Sequence, residues 1–243
     1  MSKPLHDNVA RTKSASIPGR ATFILLRALD VWFQYTLLHQ GWASTLITTL
    51  GGTTTNPNPN LPTYHTLLTL LALGSSLKQI TTILFISEQS TPISSAILIA
   101  FFNTLLNTLN TFLAVWSPTS ASVSTPAILL GTTAYTLGLL TETISEFQRR
   151  AFKQNPANKG KPFAGGLFSF ATNINYGGYT VWRAGYALVS GSWGWAIACF
   201  GFFFWDFKVR GVPVLERYLV ERYGDAYVEI VKNVGYRLLP GVY

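Results

Sequence analysis

Arg149 and Lys153 lie four residues apart and are followed by Asn155-Pro-Ala-Asn-Lys-Gly-Lys161. On a helix that spacing projects both cations from one face. Two cations ahead of an Asn- and Gly-rich loop can cradle phosphate groups through charge-assisted hydrogen bonds and backbone N–H groups. The alternative is an ordinary basic loop at a membrane surface. Other charged residues stand where apolar runs would place them in lipid: Arg27 and Asp30 three apart, Lys78, the pair Glu142 and Glu146, and Arg183. Charged groups inside a bilayer are costly and face a bundle interior or a water-filled cavity. Arg27 and Asp30 can pair at their helical spacing. Glu146, beside Arg149 and Arg150, is equally compatible with an interfacial position.

The elements that must position these groups follow from composition. The chain of 243 residues is 48% hydrophobic and 12% charged, about half the charge of a soluble domain. Apolar runs at 22–40, 65–86, 93–115, 126–147, 176–190 and 194–208 predict spans, since crossing the hydrocarbon takes about 20 helical residues. The last two are short and interrupted by Gly177, Gly178 and Gly191, which reads as a hairpin packed on its neighbours. Turn signals sit at Gly51-Gly52, Asn56-Pro57-Asn58-Pro59, Pro92, Pro118 and Pro126. The Thr-rich stretch 47–55 reads as plain connector. The fold class is therefore all-α, a polytopic membrane helix bundle of about six spans, with seven as the alternative count. Residues 1–20 form an N-terminal tail, 21–243 a single membrane-embedded domain, and 209–243 an amphipathic tail carrying Arg217, Glu221, Arg222 and Asp225 among Leu215, Tyr218, Leu219 and Tyr223.

All 18 Lys and Arg avoid 41–62, 116–125 and 190–193, where these spans would turn. Basic loops resist translocation, so both termini are expected in the cytosol. The net charge of +8 suits anionic headgroups or a phosphorylated cofactor rather than nucleic acid, because it is segregated to one side of the spans. Cys199 is the single cysteine, which rules out an intrachain disulfide. His6, His39 and His65 lack metal-ligand spacing, so no metal site is expected. Residues 1–20 lack the apolar stretch of a signal peptide.

Several motifs carry a family resemblance. Gln148-Arg-Arg-Ala-Phe-Lys-Gln-Asn-Pro156 resembles the sterol-reductase pattern Q-K-N-x-F-R-x-N-P, and Phe152-Lys153 with Pro156-Ala-Asn-Lys-Gly160 resembles the corresponding DUF1295 run. Gly165-Gly-Leu-Phe-Ser-Phe-Ala-Thr-Asn-Ile-Asn-Tyr-Gly-Gly-Tyr179, continuing to Gly185-Tyr-Ala-Leu188, is similar to a steroid-reductase segment. The stretch from Glu216 through Arg222-Tyr223-Gly224 to Val234-Gly-Tyr-Arg-Leu-Leu-Pro240 resembles the ending D-x-x-C-x-x-K-Y-G…V-P-Y-R-x-x-P. Together these resemble the steroid 5-alpha-reductase-like membrane family with its DUF1295 relatives, and the related sterol delta-14 and delta-7 reductases.

The resemblance implies an NADPH-dependent reductase of the endoplasmic reticulum, acting on a C=C bond of a hydrophobic steroid-, terpenoid- or lipid-like substrate. It implies that about 142–243 is the cofactor-binding half, with spans one to four lining a lipid-accessible substrate pocket. By motif position, Arg149, Lys153, Asn158, Lys161, Asn175, Tyr176, Arg210, Glu216, Arg222 and Tyr223 would bind the cofactor. The chain departs from the pattern too. R-H-P-N-Y reads Thr172-Asn-Ile-Asn-Tyr176, the acid expected four residues after Asn175 is Tyr179, and the Tyr expected six after Gly224 is Ile230. Enone reduction needs a donor to the developing enolate oxygen, and a neutral phenol can supply it. Tyr179 is the first catalytic candidate and Tyr218 the second; the alternative for Tyr179 is packing beside Trp182. Two other functions share the scaffold: an S-adenosylmethionine-dependent methyltransferase of the isoprenylcysteine type, and a repurposed or non-catalytic protein serving isomerisation or cyclisation.

Overall fold

The computed structural model describes residues 16–55, 61–120 and 124–243. Lys3, His6, Arg11, Lys13 and the turn Asn56-Pro57-Asn58-Pro59 lie outside the described residues. Helices run α1 (Ile17–His39), α2 (Trp42–Thr49), α3 (Leu61–Thr81), α4 (Ile93–Val115), the single turn α5 (Ser117–Ser120), α6 (Thr125–Gln154), α7 (Ile174–Asp206), α8 (Val212–Tyr223) and α9 (Asp225–Asn233). Among the described residues there is no strand, only an isolated bridge between Thr54 and Trp116. Among the described residues, five segments are long and apolar enough to cross a bilayer: Ile17–His39, Leu61–Ile86, Ile93–Val115, Thr125–Gln154 and Ile174–Tyr223. The chain is a multi-pass, all-α membrane protein.

Several boundaries differ from the expected ones, each for a local reason. The first span begins at Ile17 rather than 22, because Pro18 suits a first helical turn and Arg20 Nη2 donates to the Ser87 carbonyl at 2.7 Å. Part of the stretch expected as connector is α2. There Ala43 and Ile47 stand four apart and are both buried, while Gly41 at φ 75° lets the chain turn into the helix. The fourth span continues to Gln154, so Arg149 and Lys153 do lie on a helix. The last 50-residue segment folds back at Gly191 (φ −140°, ψ 16°) and Ser192 (φ 80°, ψ 175°). Tyr179 and Phe203 are 24 residues apart, about 36 Å along a straight helix, yet their rings are 5.1 Å apart. The expected hairpin is therefore present inside α7. At 12 and 9 residues, α8 and α9 fall short of a crossing.

The chain clusters into two units, one of the described residues up to Tyr135 with Ala184–Ile197, the other of Thr136–Arg183 with Ala198–Tyr243. In the first, α1 packs on α3 and α4 around a buried polar network. Arg27 Nη1 meets Asp30 Oδ2 at 2.8 Å with both side chains fully buried, the internal pair their spacing suggests. Asp30 also accepts from Gln34 at 2.9 Å and Asn107 at 2.8 Å. Arg27 reaches Ser76 at 2.8 Å, and Thr111 donates to Gln34 at 2.7 Å. Four spokes tie the α6 and α7 segments of this unit to α3 and α4. They run from Tyr135 to the Leu71 carbonyl at 2.6 Å, Tyr186 to that of Leu68 at 3.1 Å, Tyr64 to that of Val189 at 2.8 Å, and Trp195 to Asn110 at 2.7 Å.

In the second unit α6 and the outgoing arm of α7 touch backbone to backbone. A Cβ on Gly138 would lie 2.5 Å from the Trp182 nitrogen, and one on Gly178 would lie 2.7 Å from both the Glu142 nitrogen and the Gly138 oxygen. Small residues permit such approach in lipid, where association relies on close packing. Gly178 therefore serves as a contact, and the helical interruption belongs to Gly191 and Ser192.

Asp30→Asn is expected to destabilise the fold by about 3–5 kcal/mol, because it strands a buried arginine. Arg27→Met combined with Asp30→Leu should cost less than the single change, read from thermal unfolding in detergent. Gly178→Leu should abolish the monodisperse peak in gel filtration. Gly194→Ala, where an added Cβ meets nothing within 4 Å, should leave that peak intact.

Candidate functional site

In the second unit two carboxylates on successive turns of α6 grip the outgoing arm of α7. Glu142 Oε2 accepts from the Trp182 indole at 2.7 Å. Glu146 Oε1 accepts from Asn175 Nδ2 at 2.7 Å, and its other oxygen is ion-paired to Arg149. Glu146 is buried within the protein. Donation from its Nδ2 fixes the Asn175 amide, whose Oδ1 is buried without a hydrogen-bond partner.

The loop after α6 is folded back on that helix. Gln148 Oε1 accepts from the Leu167 amide at 2.9 Å. Gly166 has φ 56°, and a Cβ there would sit 2.3 Å from the same oxygen. Asn158 Nδ2 donates to the Phe152 carbonyl at 3.1 Å, satisfying an exposed carbonyl of the last turn. Phe163 packs on Phe152 at 4.9 Å and Phe168 at 5.6 Å, and the Arg149 guanidinium lies 5.6 Å from the Phe168 centroid.

The chain end closes over the start of α7. Thr172 and Asn173 donate their backbone N–H groups to Tyr236 and Arg237 at 3.0 and 2.8 Å. Arg237 Nε meets Glu216 Oε1 at 3.3 Å. A Cβ on Gly177 would lie 2.2 Å from the Leu238 carbonyl oxygen. Tyr227 is buried in α9, and burial, reinforced by Glu216, pushes its phenol up to about 12. It stays protonated at any physiological pH.

The two arms of α7 form an aromatic wall. Tyr176 stacks on Phe207 at 4.6 Å and 8°. Tyr179 meets Trp182, Phe203 and Phe207 edge-on at 5.0, 5.1 and 5.7 Å, so its packing beside Trp182 is real. Its hydroxyl also accepts from Arg183 Nε at 3.0 Å.

Of the residues singled out in the sequence, Arg149 and Asn175 are brought together through Glu146, and Tyr176 and Tyr179 share the wall. Lys153 and Lys161 are exposed. Asn158 serves the α6 terminus. Arg210 is held by Asp206 through Nε at 2.7 Å and Nη2 at 2.5 Å, and Glu216 by Arg237. Tyr218 accepts from Arg222 at 2.5 Å, with the guanidinium 5.4 Å from the Tyr223 ring. These three sit together on α8, whereas Tyr179 belongs to the wall of α7. Gln148, Asn173 and Tyr227 lie inside the motif stretches but are not among the site residues expected from them. Gln148 works 19 residues away along the chain, and nothing local signals that distance.

Gly177→Ala should lift the chain end off α7, accelerating proteolytic cleavage within 234–243 roughly tenfold relative to the parent.

The protein named "Probable O-methyltransferase ustE" from Ustilaginoidea virens is 34% identical over 237 residues, covering 89% of this chain and 84% of that one. No solved structure matches significantly. Residues 86–234 match the family described as "Protein of unknown function (DUF1295)". That is more than half of the chain, which therefore belongs to the DUF1295 family.

Proposed function

We propose that this protein is an NADPH-dependent reductase of a C=C bond conjugated to a carbonyl in a hydrophobic, steroid-, terpenoid- or lipid-like substrate. The observation that carries this reading is Asn175. Its Nδ2 is held by Glu146, while its Oδ1 stays buried and unpartnered in a residue only 6% exposed. An unmade bond of that kind costs about 1–3 kcal/mol, and the carboxamide N–H of a nicotinamide is a donor that would satisfy it. The residues present thus fit the cofactor. NADPH supplies the hydride when bound. Arg149 keeps N–H donors beyond those facing Glu146, and with Lys153 on the next turn it would hold phosphate. Tyr176 and Phe207 offer a flat aromatic surface. Tyr179 receives the Arg183 N–H on its oxygen, so its own proton is left to donate to the substrate carbonyl as negative charge develops there. On this reading the basic ends of the spans orient both termini to the cytosolic side of the endoplasmic-reticulum membrane.

A second reading is methyl transfer from S-adenosylmethionine, favoured by the name of the Ustilaginoidea virens relative. The same Asn175 acceptor would suit an ammonium group. Titration of purified protein in detergent separates the two. Saturable NADPH binding, weakened about tenfold or more in Arg149→Ala and in Lys153→Ala, as loss of a charge-assisted bond worth about 1.5–3 kcal/mol requires, supports the reductase. Binding of S-adenosylmethionine without NADPH overturns it. Binding of neither overturns it as well, in favour of a repurposed scaffold.

A further inference from the structure

We infer that Tyr179 and Arg183 form an oxyanion site, selecting conjugated hydrophobic substrates that present an ionised enol or phenol oxygen. This rests on the reductase reading only in taking Tyr179 as the group that faces the reacting oxygen.

Arg183 is 3% exposed inside a helix hairpin of a membrane protein. Its guanidinium lies 4.3 Å from the Trp182 centroid, 5.3 Å from that of Tyr179 and 5.9 Å from that of Phe203. A planar cation among aromatic rings has its direction fixed. Nε–H is aimed at the Tyr179 oxygen at 3.0 Å. The Tyr179 ring is held in turn by Trp182, Phe203 and Phe207 from both arms of α7.

This geometry decides what the phenol can do. A cationic N–H already occupies one side of its oxygen, which makes it a poorer acceptor for a ligand N–H or O–H. The remaining O–H is a donor strengthened by the charge behind it. In a medium of low dielectric that charge favours an anionic oxygen over a neutral one. Glu142 holds the Trp182 indole, Glu146 holds Arg149 and Asn175, Asp206 holds Arg210, and Glu216 faces Arg237. Cys199 also lies close to Arg183 and is a buried thiol. An acid at position 179, as the reductase pattern would have it, would repel an anion. Tyr179 with Arg183 one turn later reverses the preference. Acidic enols of β-dicarbonyl compounds and hydroxyarenes have the required chemistry: a flat apolar body and one readily ionised oxygen. Such an oxygen can be the carbonyl end of a reducible conjugated system or the nucleophile in methyl transfer.

The test uses the full chain in lipid nanodiscs with 4-nitrophenol as probe, its ionisation followed by nitrophenolate absorbance across pH. The bound probe is expected to ionise about one pH unit lower than in empty nanodiscs, a roughly tenfold preference for the anion. Arg183→Gln should remove the shift and Arg183→Lys should retain part of it. Tyr179→Phe, which keeps the ring contacts and removes only the hydroxyl, should weaken nitrophenolate binding about tenfold. It carries the test if Arg183→Gln does not fold. Ionisation identical to that in empty nanodiscs, or a shift that survives in both Tyr179→Phe and Arg183→Gln, overturns the inference. NADPH titration on the same samples keeps the two ideas apart. Anion preference without NADPH binding supports the oxyanion site and overturns the reductase; NADPH binding without anion preference does the reverse.

Discussion

A carboxylate inside a membrane helix must be satisfied by the protein, because lipid offers it nothing. Glu142 and Glu146 meet that requirement through Trp182 and Asn175 on the facing arm of α7. Both bonds exist only because Gly138 and Gly178 let the two backbones touch. Everything in the candidate site follows from that contact. It sets the rotation of the outgoing arm, which puts Asn175 beside Arg149 and turns Tyr179 and Arg183 toward the returning arm. The glycines supply no chemistry themselves, yet a methyl group on either would separate the carboxylates from their partners.

The first unit solves the same problem with a different chemistry. Asp30 accepts from an arginine, a glutamine and an asparagine, drawn from its own helix and from α4. Ion pairs of this kind are weak contributors to stability relative to apolar packing, but severe liabilities once half removed. They also set register, since α1 can meet α4 only where Asp30 faces Asn107 and Gln34 faces Thr111. Such a network makes the bundle specific where apolar side chains alone, as soluble in lipid as in each other, would leave it free to slide.

Much of this architecture is legible in the amino-acid sequence. Arg27 and Asp30 at a spacing of three announce an internal pair, and the span 93–115 coincides with α4 because Pro92 starts it and Trp116 ends the apolar run. The reversal near Gly191 is visible as short spans broken by glycine. Local pattern misleads where a residue's meaning depends on what faces it. Gly178 has the look of a break and is a contact. Thr-rich 47–55 has the look of connector, although Ala43 and Ile47 carry the spacing of a buried helical face.

By itself the sequence determined the solvent, the rough limits of most spans, and the helix face on which Arg149 and Lys153 project. Those properties depend on hydropathy and on periodicity along one helix. The tertiary structure alone decided that Glu146 stands between Arg149 and Asn175, that Gln148 holds the loop at Leu167, and that Arg183 aims its Nε–H at Tyr179 inside a wall completed by Phe203 and Phe207 from the other arm. Each of these depends on the rotation of one helix against another, or on a chain reversal between residues distant in sequence. Local spacing carries no record of either.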